Sequence, residues 1–208
     1  MIAVIDYGVG NIFSLTASLA HLHIESQLTK DPATIEAADG IILPGVGAFG
    51  DAAQKLKESK LGELVIRQAQ KGKPLLGICL GMQLLFEKSY EYGEHAGLGL
   101  LPGTIHALRQ AIPNPKALVP HMGWNQLRKV KQDPILSPLS AHSSVYFVHS
   151  YYACECGSVL LADAEYEGLS IPAVVGKGLI YGMQFHPEKS GKEGLALLQQ
   201  FAALANRL

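Results

Sequence analysis

Pro74-Leu75-Leu76-Gly77-Ile78-Cys79-Leu80-Gly81-Met82-Gln83 is the stretch on which the reading of the fold turns. Its first half, Pro74–Ile78, is a continuous apolar run of the kind buried on both faces of a parallel sheet. Its second half sets Cys79 between glycines at positions −2 and +2, where a strand gives way to a helix. That is the nucleophile-elbow pattern: the turn is so tight that side chains two residues either side would collide. A strand feeding directly into a helix through such a turn is a unit of a doubly wound α/β sheet.

The neighbouring segments repeat the alternation. Ile2–Asp6 is a short apolar strand ending in Asp6-Tyr7-Gly8, and Ile12, Leu15, Leu19 and Leu22 recur at helical spacing after Asn11, a candidate N-cap. Glu25–Thr29 and Gly40–Leu43 read as the second and third strands, followed by helices over Asp51–Glu58 and Leu61–Lys71. Beyond Gly97 the pattern changes to strands joined by turns, near Gly103–Leu108, Ala117–His121, Val145–Cys156, Val159–Tyr166, Ile171–Val175 and Leu179–Phe185. Leu197, Phe201, Leu204 and Leu208 place one apolar stripe on a closing helix. The expectation is one α/β domain over residues 1–208. Its doubly wound, mainly parallel open sheet has helices on both faces and an antiparallel portion added in the second half.

Composition narrows the function classes. Hydrophobic residues make up 48% of the 208 and charged residues 17%, which suits a well-buried globule. A net charge of −1 gives no electrostatic reason to expect nucleic acid or a membrane surface as partner. No apolar run approaches the roughly 18 residues of a membrane helix, and Met1-Ile2-Ala3-Val4-Ile5-Asp6 reads as a strand rather than a secretory signal. Three cysteines fit a reducing cytoplasm better than a disulfide framework.

Cys79 at a helix N-terminus would be favoured as thiolate by the backbone N–H groups and the helix dipole. The Leu80 N–H would then point at the oxygen of an attacked carbonyl. The plain alternative is a buried structural thiol, since free cysteine is among the most often buried residue types. A nucleophile needs a base, and His186-Pro187-Glu188 directly follows the strand Leu179–Phe185. Residues i and i+2 of an extended chain project to one side, and Pro187 stiffens that arrangement. The carboxylate can orient the ring while the ring takes the thiol proton. Seven other histidines, His21, His23, His95, His106, His121, His142 and His149, have no carboxylate two residues on and read as ordinary surface or core residues.

Two motifs look like sites and argue otherwise. Gly45-Val46-Gly47-Ala48-Phe49-Gly50 satisfies G-x-G-x-x-G, but it follows the third strand rather than the first, and the next strand ends at Cys79 where a ribose-binding acid belongs. Its glycines suit a second part of an oxyanion hole, with the N–H groups of Val46 and Gly47 close to a carbonyl oxygen. Cys154-x-Cys156 has no second Cys/His pair to complete a metal site. Neither a metal nor a cofactor is expected.

The run Gly77–Gln83 together with His186-Pro187-Glu188 resembles the class I, or triad, glutamine amidotransferase family, and the similarity extends from Met1 to the C-terminal helix. Five further segments resemble one branch of it, glutaminase subunits that pass ammonia to a (β/α)8-barrel cyclase in histidine biosynthesis. They are Asp6–Asn11, Pro44–Phe49, Pro120–Asn125, Phe147–Tyr151 and Lys189-Ser190 after the His-Pro-Glu run. The resemblance implies L-glutamine as substrate, Cys79 as nucleophile, His186 as base then acid, and Glu188 as its orienter. It places Gly47, Gln83, Ser150 and Tyr151 around the bound glutamine. It also places Asn11, Met122, Trp124, Tyr146 and Lys189 near the cyclase subunit of a heterodimer. Because a glutaminase working alone would waste glutamine, low activity is expected until that partner rearranges the segment near Gly45–Gly47. Gly191 departs from the pattern, which has Gln after the Lys-Ser pair. A family member serving another acceptor synthase, and a catalytically silent binding subunit, stay open at this point.

Overall fold

A computed structural model of the chain describes residues 1–206. Strands and helices alternate through the first half as β1 (Ile2–Ile5), α1 (Ile12–His21), β2 (Ser26–Thr29), α2 (Pro32–Ala37), β3 (Gly40–Gly45), α3 (Phe49–Glu58), α4 (Leu61–Gln70), β4 (Leu75–Cys79) and α5 (Leu80–Leu84). Then come β5 (Lys88–Ser89), β6 (His95–Ala96), β7 (Thr104–Ala107), α6 (Leu108–Ala111), β8 (His121–Gln126), β9 (Arg128–Lys129), β10 (Ser144–His149) and β11 (Tyr151–Cys154). The chain closes with β12 (Leu160–Tyr166), β13 (Leu169–Lys177), β14 (Ile180–Met183) and α7 (Gly191–Ala205).

Among the described residues the main sheet has eight strands, in the order β2-β1-β3-β4-β14-β13-β12-β9. The pairings from β2 to β14 are parallel, and β13, β12 and β9 extend the sheet antiparallel. This is the mainly parallel sheet with an antiparallel addition that the sequence pattern calls for. The inner strands are buried on both faces, so their alternate residues feed two cores. Ile2, Val4, Leu76 and Ile78 pack with Leu15 and Leu19 of α1 and with Leu197 and Phe201 of α7. Ala3, Ile5, Leu43 and Leu75 pack with Phe49, Leu56, Leu64 and Val65 of α3 and α4.

Several boundaries differ from the sequence reading. Val145–Cys156 is not one strand: β10 pairs with β8, whereas β11 pairs with β7 in another sheet. The break falls at Ser150, where the His149 ring bonds the Tyr151 carbonyl two residues on, a local side-chain bond that competes with a continuous ladder. The strand expected over Ala117–His121 instead begins at His121. Asn11 makes no capping bond to α1; its Nδ2 donates instead to Glu188. α2 was not legible as an element; it is six residues long and is capped by Asp31, which accepts from the Thr34 N–H. The stripe residues Leu197, Phe201 and Leu204 are buried on α7, and Leu208 lies outside the described residues.

Sheet order is what builds the site. β3, β4 and β14 are adjacent and parallel, with Gly45 paired to Cys79 and Met183 paired to Ile78. Their C-terminal ends therefore deliver Gly45–Gly47, Cys79 and, three residues past Met183, His186 to one edge of the sheet. In open α/β sheets ligands bind at that edge.

Candidate active site

Cys79 holds φ 54° and ψ −112° at the start of α5, a strained backbone for a residue with a Cβ, kept only where its surroundings dictate it. The two flanking glycines are what allow it. A Cβ on Gly77 would lie 2.6 Å from the Gly81 carbonyl oxygen, and one on Gly81 would lie 1.8 Å from the Leu43 carbonyl oxygen of β3. The tightest clash is therefore between α5 and the neighbouring strand rather than within the turn itself. On the other side Tyr7 Oη donates to the Pro44 carbonyl at 2.7 Å, and Glu91 Oε2 accepts from the Phe49 N–H at 2.7 Å. The loop Gly45–Ala48 is thus pinned at both ends while Gly47, at φ 92°, has open space where a Cβ would be.

His186 is held from its backbone outward. Its N–H donates to the Tyr146 carbonyl at 3.1 Å, its carbonyl accepts from Ser190 Oγ at 2.7 Å, and Ser190 Oγ accepts from the Tyr146 N–H at 2.9 Å. The ring Nδ1–H donates to Glu188 Oε1 at 2.8 Å, with both side chains almost wholly buried at 3% and 2% exposure. Asn11 Nδ2 donates to the same oxygen at 3.0 Å. Glu188 Oε2 is buried without a hydrogen-bond partner among the described residues, so the imidazole answers the carboxylate charge. Burial alone would lower the imidazole pKa, but hydrogen bonds and charge interactions with Cys79 and then Glu188 outweigh it and raise it to about 9.

That raised value fixes a pH window. Because the folded pKa lies above the ordinary 6.5, the stability His186 contributes is fully present below pH 6.5 and is lost as pH rises through about 9. In Glu188→Gln the ring keeps an acceptor but loses the anion. Its midpoint, followed by NMR of the ring nitrogens, is expected to fall by at least about one pH unit. An unchanged midpoint would show that the carboxylate does not govern the ring.

Cys79 and His186 line one cavity of about 350 Å³. Val46, Gly47, Leu80, Gln83, Ser150, Tyr151 and Lys189 line it too. The structure thus brings together the expected nucleophile, base, carbonyl-binding segments and glutamine-binding residues. Met122 and Trp124 stand apart from it, each 59% exposed on β8, with the Trp124 ring edge-on to that of Tyr146 at 6.2 Å. Asn11 touches Glu188 rather than the cavity. Gly191 sits at φ 57° beside the Trp124 ring, a backbone conformation that suits glycine at the position where the pattern has Gln.

A family model described as glutamine amidotransferase class-I matches residues 3–204. The chain belongs to the class I glutamine amidotransferase family. Among curated relatives it is 51% identical over 209 residues to the imidazole glycerol phosphate synthase subunit HisH of Bacillus velezensis, covering 99% of this chain and 97% of that protein. It is 47% identical to the same subunit of Bacillus cytotoxicus, covering 100% and 96%. Among solved structures, a glutamine amidotransferase crystal structure superposes with a TM-score of 0.76 at 20% identity, covering 99% and 100% of the two chains. The structure of PurLQS from Thermotoga maritima gives 0.74 at 20% identity, covering 98% and 97%. At such identity these two speak for the fold.

For this amidotransferase, sequence reasoning passed over four residues of the site. Glu91 lies on the cavity wall, its carboxyl pushed up by burial; it follows a two-residue strand with no periodic signal. Gln184 is fully buried, with its Nε2 3.9 Å from Cys79 Sγ and its Oε1 accepting from Gln83 Nε2 at 3.0 Å. A polar residue inside the apolar run Ile180–Phe185 was the available clue. His121 and His149, read as ordinary histidines, are buried and bonded to each other. Among the described residues no helix is long and apolar enough to cross a membrane.

Proposed function

We propose that the chain is the glutaminase subunit of an imidazole glycerol phosphate synthase, working through Cys79, His186 and Glu188. One observation carries the residue assignment: a strained cysteine and a carboxylate-held imidazole open into a single cavity. The thiolate attacks the side-chain amide carbon of glutamine, and N–H groups of Leu80, Val46 and Gly47 stabilise the tetrahedral oxyanion. The His186 imidazolium gives its proton to the departing nitrogen, and ammonia leaves a γ-glutamyl thioester. Neutral His186 then takes a proton from water as the water attacks the thioester carbon, and the C–S bond breaks to release glutamate and leave Cys79 as the thiolate.

Substrate recognition follows from which polar atoms remain available. Both hydrogens of Gln83 Nε2 are used, by the Tyr151 carbonyl and by Gln184 Oε1, which leaves its Oε1 as an acceptor. With the Glu91 carboxylate it suits the substrate α-ammonium group. The Ser150–Tyr151 backbone and Gly47 complete the wall around the rest of the molecule.

The relatives are named as subunits, and ammonia reacts only while it stays unprotonated and away from bulk water. Both favour hand-over through a closed contact to a (β/α)8-barrel cyclase that forms imidazole glycerol phosphate and aminoimidazole carboxamide ribotide in histidine biosynthesis. Exposed Met122 and Trp124, with Tyr146, Asn11 and Lys189, offer an apolar patch with a polar rim for that partner. Asn11 is the residue of this set that also holds Glu188, so docking there touches the orienter directly. The three cysteines are thiols, in keeping with a reducing cytoplasm, and the whole acts as one amidotransferase domain.

Mixing the chain with a histidine-pathway cyclase and following glutamate formation with and without the nucleotide substrate tests this reading. The expected result is slow hydrolysis by the chain alone and a rise of at least about a hundredfold in the liganded complex, an amount that restoring one oxyanion donor can supply. Equal rates with and without the partner would overturn it.

A further inference from the structure

Four buried polar side chains and one carbonyl form a continuous line from β8 to the sulfur. Asn125 Nδ2 lies 3.4 Å from His121 Nε2, His121 Nδ1 lies 3.0 Å from His149 Nε2, and His149 Nδ1 lies 2.8 Å from the Tyr151 carbonyl oxygen. From the other side Gln83 Nε2 donates to that same carbonyl at 3.0 Å and to Gln184 Oε1 at 3.0 Å. Gln184 Nε2 then approaches Cys79 Sγ at 3.9 Å. His121, His149, Gln83 and Gln184 are all buried.

The chemistry of the groups fixes the direction of every bond. A carbonyl oxygen only accepts, so His149 Nδ1 carries a hydrogen and its Nε2, in a neutral ring, carries a lone pair. His121 Nδ1 must then donate, which leaves His121 Nε2 as the acceptor for the Asn125 amide. Moving the hydrogen of either ring to its other nitrogen would set two hydrogens or two lone pairs face to face inside the protein. Ring position is fixed as well: His121 stacks between Phe147 and Tyr166, with centroids 4.7 Å and 4.0 Å away. Burial first, and then the neighbouring imidazole for His149, keeps both rings neutral, with pKa values lowered to about 4 for His121 and about 3 for His149.

We propose that His149, oriented by His121, is a positioning residue for glutamine binding: with Gln83 it occupies both lone pairs of the Tyr151 carbonyl and so sets the Ser150–Tyr151 wall of the cavity. Neither histidine donates a proton in the reaction. Their work is to turn one peptide group. Without that bond the Tyr151 carbonyl is held from one side only, and the break between β10 and β11, which falls at Ser150, loses the local bond that defines it. The inference rests on the reading that this cavity takes glutamine.

The two nitrogens of His149 can be separated by substitution, because an asparagine amide reaches roughly where Nδ1 sits and a glutamine amide roughly where Nε2 sits. His149→Asn can still donate to the Tyr151 carbonyl, and His149→Gln can reach only His121. Measured in the complex with the cyclase subunit, H149Q is expected to raise KM for glutamine about tenfold, the usual worth of one hydrogen bond, with a smaller change in kcat. H149N is expected to recover most of that loss. Nitrogen NMR of the unaltered protein supplies a second test, with both rings expected as the Nδ1–H tautomer. Equal KM values for the two variants, or an Nε2–H tautomer on either ring, would overturn the proposal. If instead the unaltered complex forms no glutamate from glutamine, the reading of the cavity has failed rather than the positioning role of His149.

Discussion

Cys79→Ala is expected to abolish glutamate formation by the proposed complex, to below about one ten-thousandth of the normal rate, while glutamine still binds. Removing a nucleophile from a coupled nucleophile–base set costs up to about a million-fold in kcat in comparable systems, because the remaining groups have nothing to activate. Binding survives because the wall is built by Gly47, Gln83, Ser150, Tyr151 and Glu91, none of which leans on the sulfur except through the long Gln184 contact. Stability should change by less than about 1 kcal/mol. Alanine carries the same Cβ into the same φ of 54°, so the strain is neither relieved nor increased. The variant should also separate the two halves of the proposed synthase reaction: the complex is expected to lose glutamine-dependent turnover and keep turnover with added ammonia. Residual glutamate formation above about 1% would mean that another group attacks the amide, since even the oxyanion hole and binding leave only a small remainder.

The residues that were legible beforehand are the ones whose signal is local. Gly77, Cys79 and Gly81 fall within one turn, and His186 and Glu188 within three residues, so backbone geometry alone relates the members of each group. That the two groups meet could not be read from spacing. It depends on β14 inserting beside β4, a choice made by the whole sheet across about a hundred residues of chain. Glu91 was invisible for a related reason: it reaches the cavity from a loop after β5, a two-residue strand too short to show any period. His121 and His149 did carry a signal. β8 alternates outward Met122 and Trp124 with inward neighbours, and β10 buries Val145, Phe147 and His149 on one side. A histidine in an inward register must find a partner, and each finds the other. Asn11 shows the converse, since a residue well placed as a helix cap was taken by a longer-range bond to Glu188.

The other large effect belongs to Gly81→Ala, which should severely destabilise the protein without touching a reacting atom. Its new Cβ would fall 1.8 Å from the Leu43 carbonyl oxygen and 3.2 Å from the Pro44 carbonyl carbon. Those atoms belong to β3, whose Leu43, Pro44 and Gly45 pair with Gly77, Ile78 and Cys79 of β4. The clash cannot be relieved by a rotamer change, so either α5 lifts off the sheet or the β3–β4 ladder opens. Overpacking a well-packed core costs about 1–3 kcal/mol where side chains can adjust; with backbone on both sides the expected loss is at least about 4 kcal/mol. In a chain of this size that lowers Tm by about 8 °C or more, and it is a large share of the 5–15 kcal/mol that holds a typical domain folded. Gly72→Ala is the fitting comparison. Unlike Gly81 it has a positive φ, 90°, and nothing lies within 4 Å of the new Cβ, so it should lose only about 1–2 kcal/mol from the left-handed backbone. Urea unfolding of both variants decides the matter. Should the two lose the same stability, the contact between α5 and β3 is not the constraint on this turn, and Cys79 owes its strained backbone to something other than the seat beneath it.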